Sequence, residues 1–538
     1  MAEAKQTTAA TIKETLISIT IAFTMAFVFR GFVIEGFQIP TGSMAPTLLG
    51  KHVKAVNPES GSMWTVGPRD YRIPHERIDP APVQGQTTPI RLNDPVTGAG
   101  IEYVGGVPLH SGDRLFVLKY LRGLYEPKRW DVVVFKAPHA SRENYIKRLL
   151  GMPGEQMVLV DGDVFARPEG AYPNASGIAA WGDDDWRIQR KPERAQRAMW
   201  RTVFDGSLTP PNPSQRFVSP WTRTSGSWSG LADSREYAHE GASTGELTWN
   251  SAVRPIDDYT SYNQYGKGGQ SWDRARVDYA SIFPVSDVAV AAGVEPGDGF
   301  EKFEVVLKTR DATMTASIDA AGVARLEGRH DRGDWSVEAQ TDGLTLPVGG
   351  ATRVEFWHVD QALYLYVDGE LVLGGADEAA YELSPSARVL GATGRNLSDV
   401  LSRNPGLDLS PLADSSMYRR PELSLKVQGA VRLHDVKVDR DVYYQVAPKA
   451  TYGGHPEFFP TIDENHYFFA GDNSPSSLDG RLWGNTDPWI TDSIEDGDAT
   501  PLVHRDLVIG RAFVVYFPSP LKDGPVPMFD FGRMRWVW

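Results

Sequence analysis

The chain has 538 residues, more than one compact core usually holds, and 41% apolar with 23% charged residues is the composition of a folded protein. A formal net charge of −14 argues against a nucleic-acid binder working by general phosphate attraction. With no cysteine, disulfide frameworks, Cys-ligated zinc, iron–sulfur clusters and cysteine nucleophiles are excluded together.

In chain order, the first element is apolar. Thr15 to Phe29 carries no charge, and Thr15–Ile34 spans about 30 Å as a helix, one bilayer crossing. Arg30 sits near its end, where it can snorkel to the interface. A cleaved signal peptide is the competing reading, but no Ala-x-Ala-like site follows. Lys5 and Lys13 before the span favour an N-terminus inside. Residues 51–110 are polar with scattered Pro and Gly and read as a loop insertion. Strand-like runs follow at 115–121, 131–135 and 157–165, the last with a hairpin signal at Asp161-Gly162. Composition shifts toward Trp, Pro, Ser and Asp around 166–229, a boundary region. From 230 to 445, short alternating runs without helices, with Asp368-Gly369 as another hairpin signal, predict an inserted β-sandwich or jelly roll. A further strand is expected at 509–517. The tail FDFGRMRWVW reads either as an interfacial anchor or as a terminal strand.

The segment GFQIPTGSMAPTL (36–48) places Ser43 after a glycine that allows a tight turn or a close approach. Most such serines are solvated turn residues, and a nucleophile needs a base. No His-Glu-x-x-His or EF-hand spacing is present. A lysine serves as base only when burial leaves it neutral. Lys147 lies among Ile146, Leu149 and Leu150, and in a strand it shares a face with Tyr145. Read alone, it is as well explained by snorkelling or ion pairing.

Five stretches in order carry a resemblance. PTGSMAPTL, GDRLFVLKY (112–120), RWDVVVFKAP with YIKRLLGMPGE (129–155), GDNSPSSLDGRLWG (471–484) and IGRAFVVYF, just after a membrane anchor, resemble the boxes of bacterial type I signal peptidases. The likeness covers about 25–50, 111–165 and 463–517. It implies a mainly β fold and a membrane-bound Ser/Lys endopeptidase that removes signal peptides from exported preproteins. Residue by residue, it implies Ser43 as nucleophile and Lys147 as general base. It implies the Ser43 N–H and the Thr41 hydroxyl as oxyanion donors, Ser477 as the hydroxyl that orients the lysine, and Asp479 and Arg481 as structural support. Met44 matches a core residue beside the nucleophile. Ser474-Pro475-Ser476 and Gly480 depart from the family's usual residues. The stretch VEFWHVDQALYLYVDGELV (354–372) resembles concanavalin/laminin-G-like jelly rolls more loosely, and Trp272, Trp335 and Trp357 read as core rather than a sugar platform.

The expected division is 1–14 cytoplasmic; 15–34 transmembrane anchor; 35–165 first catalytic part; 166–229 boundary; 230–445 inserted sandwich; 446–520 second catalytic part; 521–538 tail. The expected location is the cytoplasmic membrane, single-pass, with the catalytic domain outside. Expected partners are preproteins, the bilayer and the secretion channel, with no nucleic acid, cofactor or metal. Excision of 230–445 is expected to leave cleavage chemistry intact. The alternatives are a non-enzymatic surface binding protein on an inactive peptidase scaffold and a self-cleaving repressor-type peptidase, which the span and the lack of a DNA-binding segment disfavour.

Overall fold

The computed structural model describes residues 8–68, 77–78, 82–83, 86–87, 90–103, 107–120, 126–169, 177–210, 217–232, 235–264, 282–402, 411–446, 452–456, 459–494, 501–520 and 531–538. Lys5, Trp272 and the tail up to residue 530 lie outside them.

The chain is mainly β behind one N-terminal helix, Thr8–Phe32. Ile12–Phe32 is long and apolar enough to cross a bilayer, and its side chains are exposed. The helix stops earlier than the expected end at Ile34. Ile34 already opens the strand Ile34–Gln38, paired antiparallel with Arg114–Lys119.

The site is carried by one antiparallel sheet. Its order is Ile34–Gln38, Arg114–Lys119, Val508–Phe517, Val132–Ala137, Ala140–Gly151, His466–Ala470 and Val503–His504. Alternation in the Val132–Ala137 strand sends Val132 and Val134 to one core with Leu115, Val117, Met44 and Leu48. Val133 and Phe135 face the other, with Leu149, Phe469 and Trp483. Met44 and Leu48 thus pack the Ser43 segment against the sheet by burial. The tail ends as a strand: Arg535–Trp536 pairs with Val508–Phe517, leaving Trp536 60% exposed.

Residues 51–110 are more than a loop. Hairpins Val53–Val56/Met63–Val66 and Ile90–Asn93/Gly100–Tyr103 close on a small core of Val53, Ala55, Trp64, Ile90 and Leu92. The expected hairpin Glu155–Val160/Asp163–Pro168 forms, with Asp161 and Gly162 both at positive φ (53° and 89°). This is the turn an Asp-Gly pair favours.

The inserted region is a two-sheet antiparallel sandwich. One sheet runs Trp228–Ser229, Glu236–His239, Val431–Arg440, Val288–Pro296, Thr352–Val359, Ala362–Val367, Glu370–Gly374. The other runs Trp221–Ser225, Thr244–Trp249, Glu422–Gln428, Lys302–Thr309, Ala312–Asp319, Ala324–His330, Ser336–Thr341. Arg201–Asp205 also pairs into the first. Strands from Arg201 onward, inside the stretch expected as a boundary, therefore already belong to the sandwich. Trp357 is buried, and the half-buried Trp335 stacks on Tyr381 at 4.0 Å between centroids.

Candidate active site

Ser43 lies in a tight turn between the first strand and the 51–110 subdomain. Ala45 N–H donates to Gly42 C=O (3.0 Å) and Leu48 N–H to Met44 C=O (2.9 Å). Asp113 clasps both ends: its carbonyl accepts from Ile39 N–H (2.9 Å) and its carboxylate from Leu49 N–H (2.9 Å). The Ser43 side chain is half-buried at the turn's edge.

Lys147 comes from the neighbouring long strand Ala140–Gly151, with Nζ 2.8 Å from Ser43 Oγ and 3.1 Å from the Ile146 carbonyl. Alternation sets Tyr145 on the same face, its ring centroid 5.0 Å from Nζ. Lys147 is 3% exposed. Burial is the main force pulling its pKa down to about 8, and Arg481 adds to it, while Asp479 and Asp472 oppose. A buried amine at hydrogen-bond distance from a hydroxyl, deprotonating near physiological pH, has the geometry and acidity of a general base.

The segment after His466–Ala470 forms the floor. Asn473 N–H donates to Ser43 C=O (3.0 Å) and its Nδ2 to Gly42 C=O (2.8 Å). Gly471 is required by space: a Cβ there would stand 2.2 Å from Ser477 Oγ and 2.5 Å from Ser43 O. Asp479 and Arg481 form a fully buried ion pair (2.7 Å), not a surface one. Burial would raise the Asp479 carboxyl, but Arg481 and the Gly471 N–H outweigh it and hold the pKa low. Behind the turn, Arg148 donates to both oxygens of Asp472 (2.8 and 2.6 Å), and Thr47 donates to Asp472 (2.5 Å).

The structure therefore gathers Ser43, Lys147, Asp479 and Arg481. Thr41 is adjacent and exposed, its hydroxyl without a hydrogen-bond partner among the described residues. Ser477 is buried at Gly471; its hydroxyl approaches the Asp479 carboxylate without hydrogen-bond geometry and makes no bond to Lys147. Asn473, Thr47 and the Arg148–Asp472 pair were not singled out from sequence. Asn473 and Asp472 stand in the GDN of the fourth box, and that is the signal by which they could have been found.

Residues 107–170 match the family model "Signal peptidase, peptidase S26", a stretch that contains Lys147 but not Ser43. A signal peptidase I of Rickettsia typhi is 27% identical over 37% of this chain and 59% of its own length. One of Pseudomonas fluorescens is 27% identical over 35% of this chain and 51% of its own. The chain thus spans little more than half the length of these relatives. Among solved structures, the carbohydrate binding module CBM66 from Bacillus subtilis aligns with 41% of this chain and 96% of its own, at 10% identity and a TM-score of 0.23, too low to bear on the sandwich. The family model and the relatives support the signal peptidase family for the catalytic part.

Proposed function

We propose that this protein is a membrane-anchored serine endopeptidase that removes signal peptides from exported preproteins with a Ser43/Lys147 dyad. The observation that carries the reading is the 2.8 Å contact between Ser43 Oγ and a buried Lys147 whose pKa is drawn to about 8. Neutral Lys147 accepts the Ser43 hydroxyl proton as Oγ attacks the scissile carbonyl. The tetrahedral oxyanion receives hydrogen bonds from the Ser43 N–H and the Thr41 hydroxyl. Lys147 then gives the proton to the leaving amine; in the second half its Nζ takes a proton from the water that attacks the acyl carbonyl and delivers it to Ser43 Oγ as the ester bond breaks, freeing the acid and restoring the hydroxyl. Asp479 and Arg481 are assigned to hold the floor; Ser477, expected to orient the amine, makes no bond to Lys147 and packs at Gly471 instead. The helix would anchor the chain in the cytoplasmic membrane, N-terminus inside, where the apolar segment of the substrate raises its local concentration.

The test is cleavage of a model preprotein by the purified full chain in detergent, with cut sites read by mass spectrometry. A cut after a small-x-small triplet, lost in Ser43→Ala and Lys147→Ala, is the expected result. A folded wild type that leaves the preprotein whole would favour a binding protein on an inactive scaffold.

A further inference from the structure

The inserted region reaches the nucleophile turn at a point that no motif of the catalytic part accounts for. Asn473 Nδ2 donates to the carbonyl of Gly42 (2.8 Å), and that carbonyl belongs to the same planar peptide as the Ser43 N–H. Fixing one end of the peptide plane aims the other. The aimed end is the N–H assigned above to the oxyanion. A donor on the carbonyl also polarises the amide and strengthens its N–H as a donor.

Asn473 is itself held from outside the peptidase sheet. Its carboxamide pairs reciprocally with that of Asn263: Asn263 Nδ2 donates to Asn473 Oδ1 (2.8 Å), and Asn473 Nδ2 donates to Asn263 Oδ1 (2.9 Å). Asn473 is 2% exposed, so losing this partner would strand its Oδ1 without compensation. Asn263 stands on a short 3₁₀ turn, Ser261–Gln264, within the insertion. Both its neighbours lock that turn onto the catalytic part. Tyr262, 1% exposed, packs on Ala45 and Leu49 and donates its hydroxyl to the Lys51 carbonyl (2.8 Å). Gln264 clasps the backbone of Asn93, accepting from its N–H (3.0 Å) and donating to its carbonyl (2.6 Å). From a second side, Arg201 on a sandwich strand donates to Thr47 Oγ1 (2.6 Å) within the same nucleophile turn.

We infer that Asn263 is a positioning residue for acyl transfer, acting through Asn473 on the Gly42–Ser43 peptide, so that the inserted region completes the oxyanion site. The inference rests on the proposed role of Ser43. It predicts, against the expectation stated above, that excising the insertion disturbs the chemistry.

The experiment uses the full-length chain and two readouts, preprotein cleavage kinetics and amide hydrogen exchange of the 41–48 segment. Asn263→Ala should lower kcat at least about tenfold with KM held, as misaimed groups do. It should also speed exchange at 41–48 while other segments keep wild-type rates. Asn263→Asp is the isosteric second variant. Its protonated carboxyl can donate to Asn473 Oδ1 and its carboxylate cannot, so the ratio of its kcat to wild type should fall as pH rises. Unchanged kcat and exchange in Asn263→Ala, exchange faster throughout the chain, or a flat ratio in Asn263→Asp would each overturn the inference. Should wild type cleave no preprotein, localised faster exchange at 41–48 would still support the brace, while the peptidase reading alone would fall.

Discussion

Lys147 is 3% exposed although the hydroxyl beside it, the proposed nucleophile, has to be reached by a substrate. Burial lowers its pKa to about 8, with Arg481 assisting, so the base becomes neutral as pH rises through that value. Activity should therefore climb through about pH 8 and level off above it, since only the neutral amine can take the Ser43 proton. A kcat–pH profile without a rising limb would remove Lys147 from that role. Gly471 poses a steric demand rather than an electrostatic one. The Cβ of Gly471→Ala would press on Ser43 O, which is backbone and cannot swing aside. We expect a kcat loss of about a hundredfold, because a displacement near 1 Å suffices. The accompanying loss of stability should be only about 1–3 kcal/mol, the usual range for overpacking. Parallel kcat and thermal-melt measurements separate the two, and a fully active variant would show that the turn can yield.

At the scale of elements, the hairpins were legible because their turns need two positive-φ residues in a row, and Asp-Gly supplies them cheaply at 161–162 and 368–369. The strand Trp221–Ser225 was not: only its first residue is buried, so it shows no alternation to read. Nor does an Asp-Gly turn announce what it touches. Asp161 accepts from Arg310 Nε and Nη2 (2.7 Å each) and lies 3.0 Å from Arg388, while Arg388 also pairs with Asp163 (3.0 Å) and approaches Asp287 (3.5 Å). The 155–168 hairpin thus plugs its carboxylates into cations of the inserted region. Removing one cation leaves buried charge uncompensated, so Arg388→Leu should cost about 3–5 kcal/mol at neutral pH. The sign of its pH dependence follows from Asp163. Burial already pushes that carboxyl well above its ordinary range, and Arg388 opposes the push. A group whose folded pKa is raised stabilises the fold while protonated and loses that contribution as pH rises through the folded value. Losing Arg388 would raise the Asp163 carboxyl further, so the deficit of Arg388→Leu against wild type should grow as pH rises through the titration of that carboxyl. Urea midpoints across that range measure it, and a pH-independent deficit would contradict the assignment.

For the molecule as a whole, the part of the site carried by contiguous boxes could be read from the sequence, Ser43 and Lys147 with Asp479 and Arg481. The part supplied across the domain interface could not. Asn263 and Arg201 sit in segments whose local pattern signals only turn and strand, and their partners Asn473 and Thr47 lie far away in sequence. The same interface governs how the molecule comes apart. Lys191 is buried between Asp360 and Asp441, pairing with both, and Arg310 and Arg388 bind the hairpin acids. Separating sandwich from catalytic sheet would expose or strand these charges at once, a cost that neither part can escape alone. Two domains joined this way should unfold together, unlike domains linked by a polar, transient contact. Calorimetry of the full chain should show one transition for both β units, with calorimetric and van't Hoff enthalpies in agreement. Arg388→Leu should be the variant that divides it. Two resolved transitions in wild type would mean that the buried ion network does not couple the units. It would also weaken the case that the sandwich side holds the nucleophile turn in place during catalysis, since the brace at Asn263 depends on the two staying docked.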